Sequence, residues 1–357
     1  MPADSRQLVT AALEFTSPRR VPRHMWLLPW AERRYPEQTE LLQERFPSDI
    51  TWADDVYDIP VEKRGDPYAV GTYVDEWECE FVNVHGGIVG EVKQPKLRDV
   101  ADWRSIRPPY DVLPHDELAA RDRVNRFCAE SDLFVLSGCG PRPWERYQFL
   151  RGTADAMVDL TSPERGAAEL LRAIHEFYLK EVEFWTGTDV DGIFFQDDWG
   201  SQNSLLISPS SWRELFKPLY RDYCDLAHAA GKFAFMHSDG NITAIYEDLI
   251  EAGVDAINSQ LFCMDMTDVA QRAKGKITFW GEIDRQHVLA SPDPQVGRDA
   301  VQKVARHLWD ATGGVIAQFS FELAGVPETA MAVFDEWERI GREHNCGCGT
   351  MIDVKRG

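Results

Sequence analysis

The chain has 357 residues, 44% of them apolar and 27% charged, a balance typical of a globular protein and too apolar for disorder. Its 59 acidic and 38 basic side chains give a formal net charge of −21. Because so acidic a surface repels phosphate backbones and anionic membranes, we expect no nucleic acid and no membrane among its partners. The expected partner is a small-molecule substrate.

The cysteines suggest a reducing compartment. There are seven of them, without the spacing of a disulfide framework, and the N-terminal segment lacks the apolar core of a secretion signal. Cys346 and Cys348 lack the two-residue spacer and the second cysteine pair of a usual zinc site, so we assign no metal to them. We expect a cytoplasmic protein.

The first third of the chain is irregular and rich in aromatic residues. Residues 5–15 have the apolar spacing of a helix, and residues 21–28 are typical of a buried strand. Residues 72–92 alternate like two strands around Gly86-Gly87, which predicts a hairpin. Since no linker or charge block divides the sequence, we predict one domain over residues 1–357, decorated by residues 1 to about 125.

After residue 130, short apolar runs alternate with helical stretches. The runs are residues 133–138, 191–198, 232–237, 255–260, 276–284 and 314–322. This alternation indicates parallel strands joined by right-handed crossovers, and continuously apolar strands are typical of a sheet covered on both faces. No glycine-rich phosphate loop follows an early strand, which weakens the alternative of an open dinucleotide-binding sheet. We therefore predict an α/β fold, a (β/α)8 TIM barrel.

Polar residues close five of these strands, at the end of a barrel where active sites lie. His237 and Asp239 stand two residues apart, so their side chains leave the strand on the same side. A neutral imidazole and a carboxylate placed in this way can share a divalent cation such as zinc, with Glu322 as a third ligand. The alternative is that His237 hydrogen-bonds Asp239 or the substrate without any metal.

Asp197 and Asp198 follow the apolar run that ends at residue 195. One of the two should face the barrel mouth, and the other should face the surrounding layer. An unpaired carboxylate at the mouth would have a raised pKa and could act as an acid or a base. The alternative role for these residues is a helix cap or a salt bridge.

The segment from Glu282 to His287 is dense in charged groups. Glu282 is a further candidate for acid–base catalysis, and Arg285 either binds a substrate anion or belongs to an ion-pair network. Aromatic rings and amides near the strand ends could wall a pocket, although any single aromatic could equally belong to the core. The predicted substrate-binding residues are Trp26, Trp144, Tyr147, Asn258, Gln260 and Arg285.

Residues 194–260, 279–289 and 313–337 contain the motifs FFQDDWG, FAFMHSDG, FWGEIDRQHVL and GVIAQFSFELAG. Through these motifs the chain resembles the uroporphyrinogen decarboxylase superfamily. Residues 5–22 and 136–152 also resemble the matching parts of that superfamily, whereas residues 40 to about 125 carry little resemblance. The resemblance implies a (β/α)8 barrel with its site at the C-terminal mouth.

The superfamily contains two kinds of enzyme, and this chain departs from both. The decarboxylases carry an Arg-Gln-Ala-Gly-Arg motif after the first strand, where this chain reads MWLLPWAERRYPE. The methyltransferases that activate a thiol bind zinc through a His-x-Cys pair and a later cysteine. Here His237 matches the first ligand, Asp239 replaces the first cysteine, and Phe319, Ser320 or Ala324 stands at the place of the second. Asp239 and Glu322 would therefore form a harder, oxygen-rich site.

Three functions remain open. The first is methyl transfer from a small methylated substrate, with a corrinoid protein or a pterin as acceptor, in which Asp197 or Asp198 handles protons. The second is decarboxylation of a carboxylated pyrrole or another small acid, with Arg285 and Arg142 holding the substrate. The third is a non-catalytic barrel that binds a tetrapyrrole or a corrinoid. The oligomeric state is also open, a homodimer being the commonest outcome.

Overall fold

The computed structural model describes residues 5–58, 63–161, 165–310 and 312–345, so Cys346 and Cys348 lie outside the described residues. The strands are β1 (Arg23–Leu27), β2 (Ile50–Trp52), β3 (Gly71–Val74), β4 (Glu80–Asn83), β5 (Glu91–Val92), β6 (Phe134–Leu136), β7 (Gly192–Gln196), β8 (Phe233–Ser238), β9 (Ala256–Ser259), β10 (Thr278–Trp280) and β11 (Val315–Phe321). The helices are α1 (Ser5–Leu13), α2 (Pro29–Arg34), α3 (Pro36–Arg45), α4 (Glu117–Glu130), α5 (Pro143–Arg151), α6 (Thr153–Thr161), α7 (Arg165–Thr186), α8 (Pro209–Leu215), α9 (Lys217–Ala229), α10 (Tyr246–Ala252), α11 (Met266–Ala273), α12 (Pro294–Leu308) and α13 (Pro327–Asn345).

Eight parallel strands form a nearly closed (β/α)8 barrel, which confirms the predicted fold. Their order is β1-β11-β10-β9-β8-β7-β6-β2. At the seam between β1 and β2, Asp49 joins the two ends of the order: its backbone N–H donates to the Arg23 carbonyl over 2.8 Å, and its carboxylate accepts the Arg23 N–H over 2.7 Å. The first third of the chain thus supplies two barrel strands as well as decoration.

The hairpin predicted around Gly86-Gly87 is present and has a third strand. β4 and β5 pair antiparallel across these glycines, and β3 pairs antiparallel with the other edge of β4. The turn between β3 and β4 is held by Asp75, whose carboxylate accepts the backbone N–H groups of Trp77 and Cys79. This small sheet lies against the barrel helices, since Trp77 packs edge-on against Phe177 of α7.

Alternate residues of the barrel strands fill the lumen with aromatic rings. The inward-facing side chains include Trp52, Phe194, Phe235 and Trp280, which form one apolar cluster separate from the core under the helices. His24 belongs to the same layer, where its ring stacks on Trp280 at 5.5 Å. The lumen is therefore a packed plug, and the free space for chemistry lies above it, at the C-terminal ends of the strands. Among the described residues, no helix is long and apolar enough to cross a membrane.

Stability should fall as the pH drops because of His24. This side chain is 3% exposed, and burial lowers the pKa of His24 to about 3, so the folded protein keeps the ring neutral. The unfolded chain takes up the proton at a pKa of about 6.5, so the free energy of unfolding falls by about 1.4 kcal/mol for each pH unit below that value. We expect a loss of about 2 kcal/mol from this group at a pH of about 5. Urea unfolding of His24→Phe near pH 7 and pH 5 should show a correspondingly smaller pH dependence than the wild type, and equal dependence would contradict this account.

Candidate active site

Polar side chains continue the inward-facing series beyond the ends of β7 and β8. Because Phe194 and Phe235 face the lumen, residues four positions later face its mouth, and these are Asp198 and Asp239. The strand register sets Gln196 beside His237 and His237 beside Asn258. Asp198, His237 and Asp239 are consequently brought together, and one ligand atom from each lies within 4.8 Å of the others. We call these three residues the metal-ligand cluster.

The distances in the metal-ligand cluster match those of a cation site. His237 Nε2 lies 3.5 Å from Asp198 Oδ1 and 3.6 Å from Asp239 Oδ1. Two ligand atoms that are each about 2.1 Å from a tetrahedral cation lie about 3.4 Å apart. Asp239 Oδ1 is buried and has no hydrogen-bond donor among the described residues, so a cation would satisfy it. The donor set, one imidazole and two carboxylates, suits a divalent cation.

A chain of amides fixes the tautomer of His237. The Asn258 Nδ2 donates to the Trp280 carbonyl over 2.5 Å and to Gln318 Oε1 over 2.8 Å. Asn258 Oδ1 must therefore be the acceptor in its 2.6 Å contact with His237 Nδ1, which carries the ring proton. In the neutral ring, the lone pair is left on Nε2, the atom that faces the two carboxylates. Metal-binding histidines usually have such a partner on the second nitrogen. Asn258, predicted to bind substrate, thus positions His237.

Arg285 takes part in an ion-pair network, which is the second of the two alternatives raised by the sequence. Its guanidinium pairs with Asp239, lies 3.5 Å from Glu282 Oε1 and lies 3.3 Å from Glu322 Oε1. Glu322 faces this guanidinium and is not part of the metal-ligand cluster. Because the Asp239 carboxylate pairs with Arg285 and two further acidic side chains lie within 3.5 Å of it, the geometry favours the ion-pair network over an anion site.

The carboxylates around the cluster hold protons more tightly than usual. Burial raises the pKa of Glu282 to about 8, and Asp239 adds to the effect whereas Arg285 opposes it. Glu282 is 2% exposed, and neither of its oxygens has a hydrogen-bond donor among the described residues. Burial also raises the pKa of Glu322. For His237, burial lowers the pKa, but the nearby Asp239 and Asp198 together raise it above its ordinary value. Because its pKa is about 8, Glu282 is protonated near neutral pH and can donate a proton.

Glu145 is a site residue that the sequence analysis did not identify. It lies in the first turn of α5, and burial raises the pKa of its carboxyl to about 7, with Asp198 and Asp239 contributing to the rise. Its nearest cation is Arg142, 4.0 Å away. Nothing in the local sequence shows that this helical turn faces the barrel mouth, since that depends on how α5 is anchored to β7.

The anchor of α5 is Asp197, which the structure does not bring to the metal-ligand cluster. Asp197 is fully buried and accepts the backbone N–H groups of Trp144 and Glu145 over 2.9 and 2.8 Å. Its carboxylate also accepts the Tyr220 hydroxyl over 2.6 Å. The structure gives Asp197 a capping role in place of the predicted catalytic one, because both of its carboxylate oxygens accept hydrogen bonds from groups away from the mouth. Of the two adjacent aspartates, Asp198 faces the mouth.

Of the three aromatic residues predicted to bind substrate, one faces the metal-ligand cluster and two belong to the core. Trp26 faces the cluster, its ring 5.3 Å from that of His237. Trp144 is fully buried and stacks on Trp199, and the Tyr147 hydroxyl donates to Asp159 within the helical layer. Neither reaches the mouth, so their predicted contact with substrate is replaced by core packing. Gln260 lies at the rim, where its Oε1 accepts the Gly240 N–H over 3.0 Å.

The loops after β7 and β8 are held together by a direct backbone contact between Gly200 and Gly240. The Gly200 N–H donates to the Asp239 carbonyl over 2.9 Å, and a Cβ added to Gly200 would lie 2.3 Å from the Asn241 nitrogen. This approach, which only glycine allows, keeps the loops that carry Asp198 and Asp239 side by side.

Gly200→Ala should therefore weaken both the fold and the cluster. We expect the free energy of unfolding to fall by about 2–4 kcal/mol, since the backbone of the facing loop must move to admit the methyl group. The matched control is Gly341→Ala in α13, where an added Cβ meets nothing within 4 Å and should stabilise the helix by about 0.5–1 kcal/mol. Urea unfolding measures both changes, and equal stability of the two variants would contradict the expected contact.

Comparison with known proteins places this barrel in a family. A profile of the uroporphyrinogen decarboxylase (URO-D) family matches residues 81–337, which is most of the chain. The chain belongs to the URO-D family. The matched segment runs from β4 to α13 and includes every strand end that carries the metal-ligand cluster and its carboxylates. This confirms the resemblance seen in the sequence.

The structural relatives of this URO-D family member show the fold and leave the reaction open. A methyltransferase from Methanosarcina mazei has a TM-score of 0.67 at 14% identity, covering 94% of this chain and 99% of that chain. At so low an identity the likeness shows the fold alone. A D-psicose 3-epimerase has a TM-score of only 0.35 at 10% identity, covering 68% of this chain and 84% of that chain, and supports no argument. Among curated proteins, none matches the chain significantly.

Proposed function

We propose that this URO-D family member is a metal-dependent group-transfer enzyme that demethylates a small methylated substrate. The methyl acceptor would be a corrinoid carried by a partner protein, or a pterin. The observation that carries the proposal is the tautomer-fixed His237 facing Asp198 and Asp239 at the barrel mouth. Such a set would hold a divalent cation such as zinc or manganese, which would act as a Lewis acid toward a substrate atom.

The side chains around the cluster supply the rest of the chemistry. Glu282 and Glu145 keep protons near neutral pH, so either can protonate a group that leaves the methyl carbon. Arg285 restrains Asp239 and limits the negative charge that gathers around it. The Trp26 ring forms an apolar wall beside His237, which suits a methyl group.

The test is methyl transfer to cobalamin. Purified protein loaded with zinc or manganese is given reduced cobalamin and a panel of methylated amines, ethers and thioethers, and methylcobalamin is followed by its absorption spectrum. The proposal predicts methylation from at least one donor that is lost when the metal is chelated and is restored when the metal is returned. If no donor in the panel methylates cobalamin with the metal-loaded protein, transfer to a corrinoid is ruled out, and the proposal fails if a reduced pterin given with the same panel is not methylated either.

A second candidate function is decarboxylation of a small acid. Glu282 favours it, because a buried, protonated carboxyl group 3.5 Å from a fixed cation, Arg285, is suited to protonating a carbanion. In that case Arg142, at the rim, would bind the substrate carboxylate. This candidate predicts release of carbon dioxide that does not depend on added metal, so the same preparations distinguish the two functions.

A further inference from the structure

A second cavity lies beside the candidate active site, outside the metal-ligand cluster. It has a volume of about 320 Å³ and lies among the small sheet, the loops after β2 and β6, and helices α5 and α7. The side chains that matter here are Tyr57, Tyr73, Arg142, Phe177, Tyr178 and Glu181. Arg142 is at the edge nearest the cluster, since its guanidinium lies 4.0 Å from Glu145.

Glu181 gives this cavity an unsatisfied acceptor. The residue is 8% exposed, and its Oε2 has no hydrogen-bond partner among the described residues. The neighbouring Tyr57 hydroxyl accepts the Trp185 indole N–H over 2.6 Å and interacts with the Glu181 carboxylate. A buried carboxylate oxygen without a donor is costly, so this atom is suited to a donor brought by a ligand.

The charges and rings of the cavity select the kind of donor. Five carboxylates and three cationic side chains line it, and one of the cations, Arg146, is already paired with Asp75 and Glu76. With all of these groups charged, five negative and three positive charges give the lining a net charge of −2, which favours a positively charged ligand. The rings of Tyr57, Tyr73, Phe177 and Tyr178 line the cavity, and the electron-rich face of an aromatic ring attracts ammonium groups and their alkyl substituents.

We propose that this cavity binds a small organic ammonium that keeps at least one N–H group. The N–H would donate to Glu181 Oε2, and the alkyl or aromatic substituents would pack against the surrounding rings. A quaternary ammonium would leave Glu181 without its hydrogen bond, and a neutral alcohol of similar size would leave the negative charge uncompensated. Both should therefore bind more weakly than a tertiary ammonium.

The cavity also extends the proposed function. Arg142 lines the cavity and lies 4.0 Å from Glu145, whose carboxyl is influenced by the charges of Asp198 and Asp239 in the metal-ligand cluster. That this ligand is the methyl-bearing substrate rests on the proposed function, whereas its binding at Glu181 does not. A failure of methyl transfer to cobalamin would therefore leave the binding site standing, and a failure of binding would leave the metal site standing.

Burial raises the pKa of Glu181 to about 7. Isothermal titration calorimetry on the full chain therefore tests the site at a pH of about 8, where the carboxyl is ionised. The ligands are trimethylammonium, tetramethylammonium and tert-butanol, which share a central atom with at least three methyl groups and differ in charge and in the N–H group. We expect trimethylammonium to bind at least about tenfold more tightly than either analogue. This comparison uses only the wild type and needs no variant to fold.

Variants locate the ligand. Glu181→Gln should weaken trimethylammonium binding at least about tenfold, because the charged acceptor is lost. Glu176→Gln, an exposed position on the same helix, should leave it within about twofold. The proposal is overturned if trimethylammonium gives no heat at millimolar concentration, if tetramethylammonium binds as tightly, or if Glu181→Gln binds like the wild type.

Discussion

His237→Ala should remove the metal and, with it, the activity. We expect the wild type, loaded with zinc or manganese and dialysed, to retain about one ion per chain, and the variant to retain about a tenth of that or less, because a site with two carboxylates and no imidazole binds such ions weakly. Any metal-dependent methyl transfer should fall at least about a thousandfold. Inductively coupled plasma mass spectrometry measures the metal, and the cobalamin assay measures the transfer.

The control for this experiment is another histidine, whose ring forms a hydrogen bond within its own helix. His307 lies in α12, and its Nδ1 contacts the Lys303 carbonyl one turn earlier. His307→Ala should keep the wild-type metal content. Metal retained by His237→Ala, or lost equally from both variants, would remove His237 from the ligand set. Absence of metal from the loaded wild type would shift support to the decarboxylase candidate.

The second large effect is expected from substitution of the two adjacent aspartates. One substitution should lower stability, and the other should abolish metal binding. Asp197→Ala leaves two backbone N–H groups and the Tyr220 hydroxyl without an acceptor in a fully buried place, so the free energy of unfolding should fall by about 3–5 kcal/mol. Asp198→Ala removes a half-exposed carboxylate from the barrel mouth, so stability should change by about 1 kcal/mol or less while metal binding is lost.

Urea unfolding and metal analysis on both variants separate these roles. The expected result is a destabilised Asp197→Ala that still binds metal at low temperature, and a stable Asp198→Ala that does not. If Asp198→Ala is the destabilised variant, or if folded Asp197→Ala has no metal while Asp198→Ala retains it, the assignment of the mouth-facing aspartate is wrong.

The sequence predicted the barrel because its strands are buried on both faces. The apolar runs after residue 130 match β6 to β11 to within a few residues. β2 escaped prediction because it is only three residues long, Ile50–Trp52, and has no periodicity to detect. The residues between the second and third of these runs form two helices, α8 and α9, rather than one. They separate at Phe216, because Pro218 at the start of α9 has no backbone N–H to donate to the preceding turn.

The candidate site was predictable where strand alternation alone decides it. His237, Asp239 and Glu282 lie at the mouth because they are at or just beyond the ends of strands whose burial was evident from the sequence. Counting in steps of two from Phe194 would also have selected Asp198 over Asp197. Glu145, Trp144 and Tyr147 could not be placed in this way, because the face that α5 turns to the barrel is set by its contact with Asp197, a tertiary interaction 52 residues away for Glu145.

Two consecutive residues have separate roles: Asp197 stabilises the fold by capping α5, and Asp198 faces the barrel mouth. Asp197 can change only at a cost to folding, whereas Asp198 and its counterpart Asp239 stand on the open side of their strands and contribute little to the packed layers. Exchange of these mouth-facing donors for thiols, imidazoles or amides would alter which ion or substrate is held without rebuilding the barrel. Proteins with this architecture can therefore acquire a new reaction through a few point mutations at the mouth. Asp197 meanwhile keeps α5 anchored, so the barrel that carries the site is unchanged.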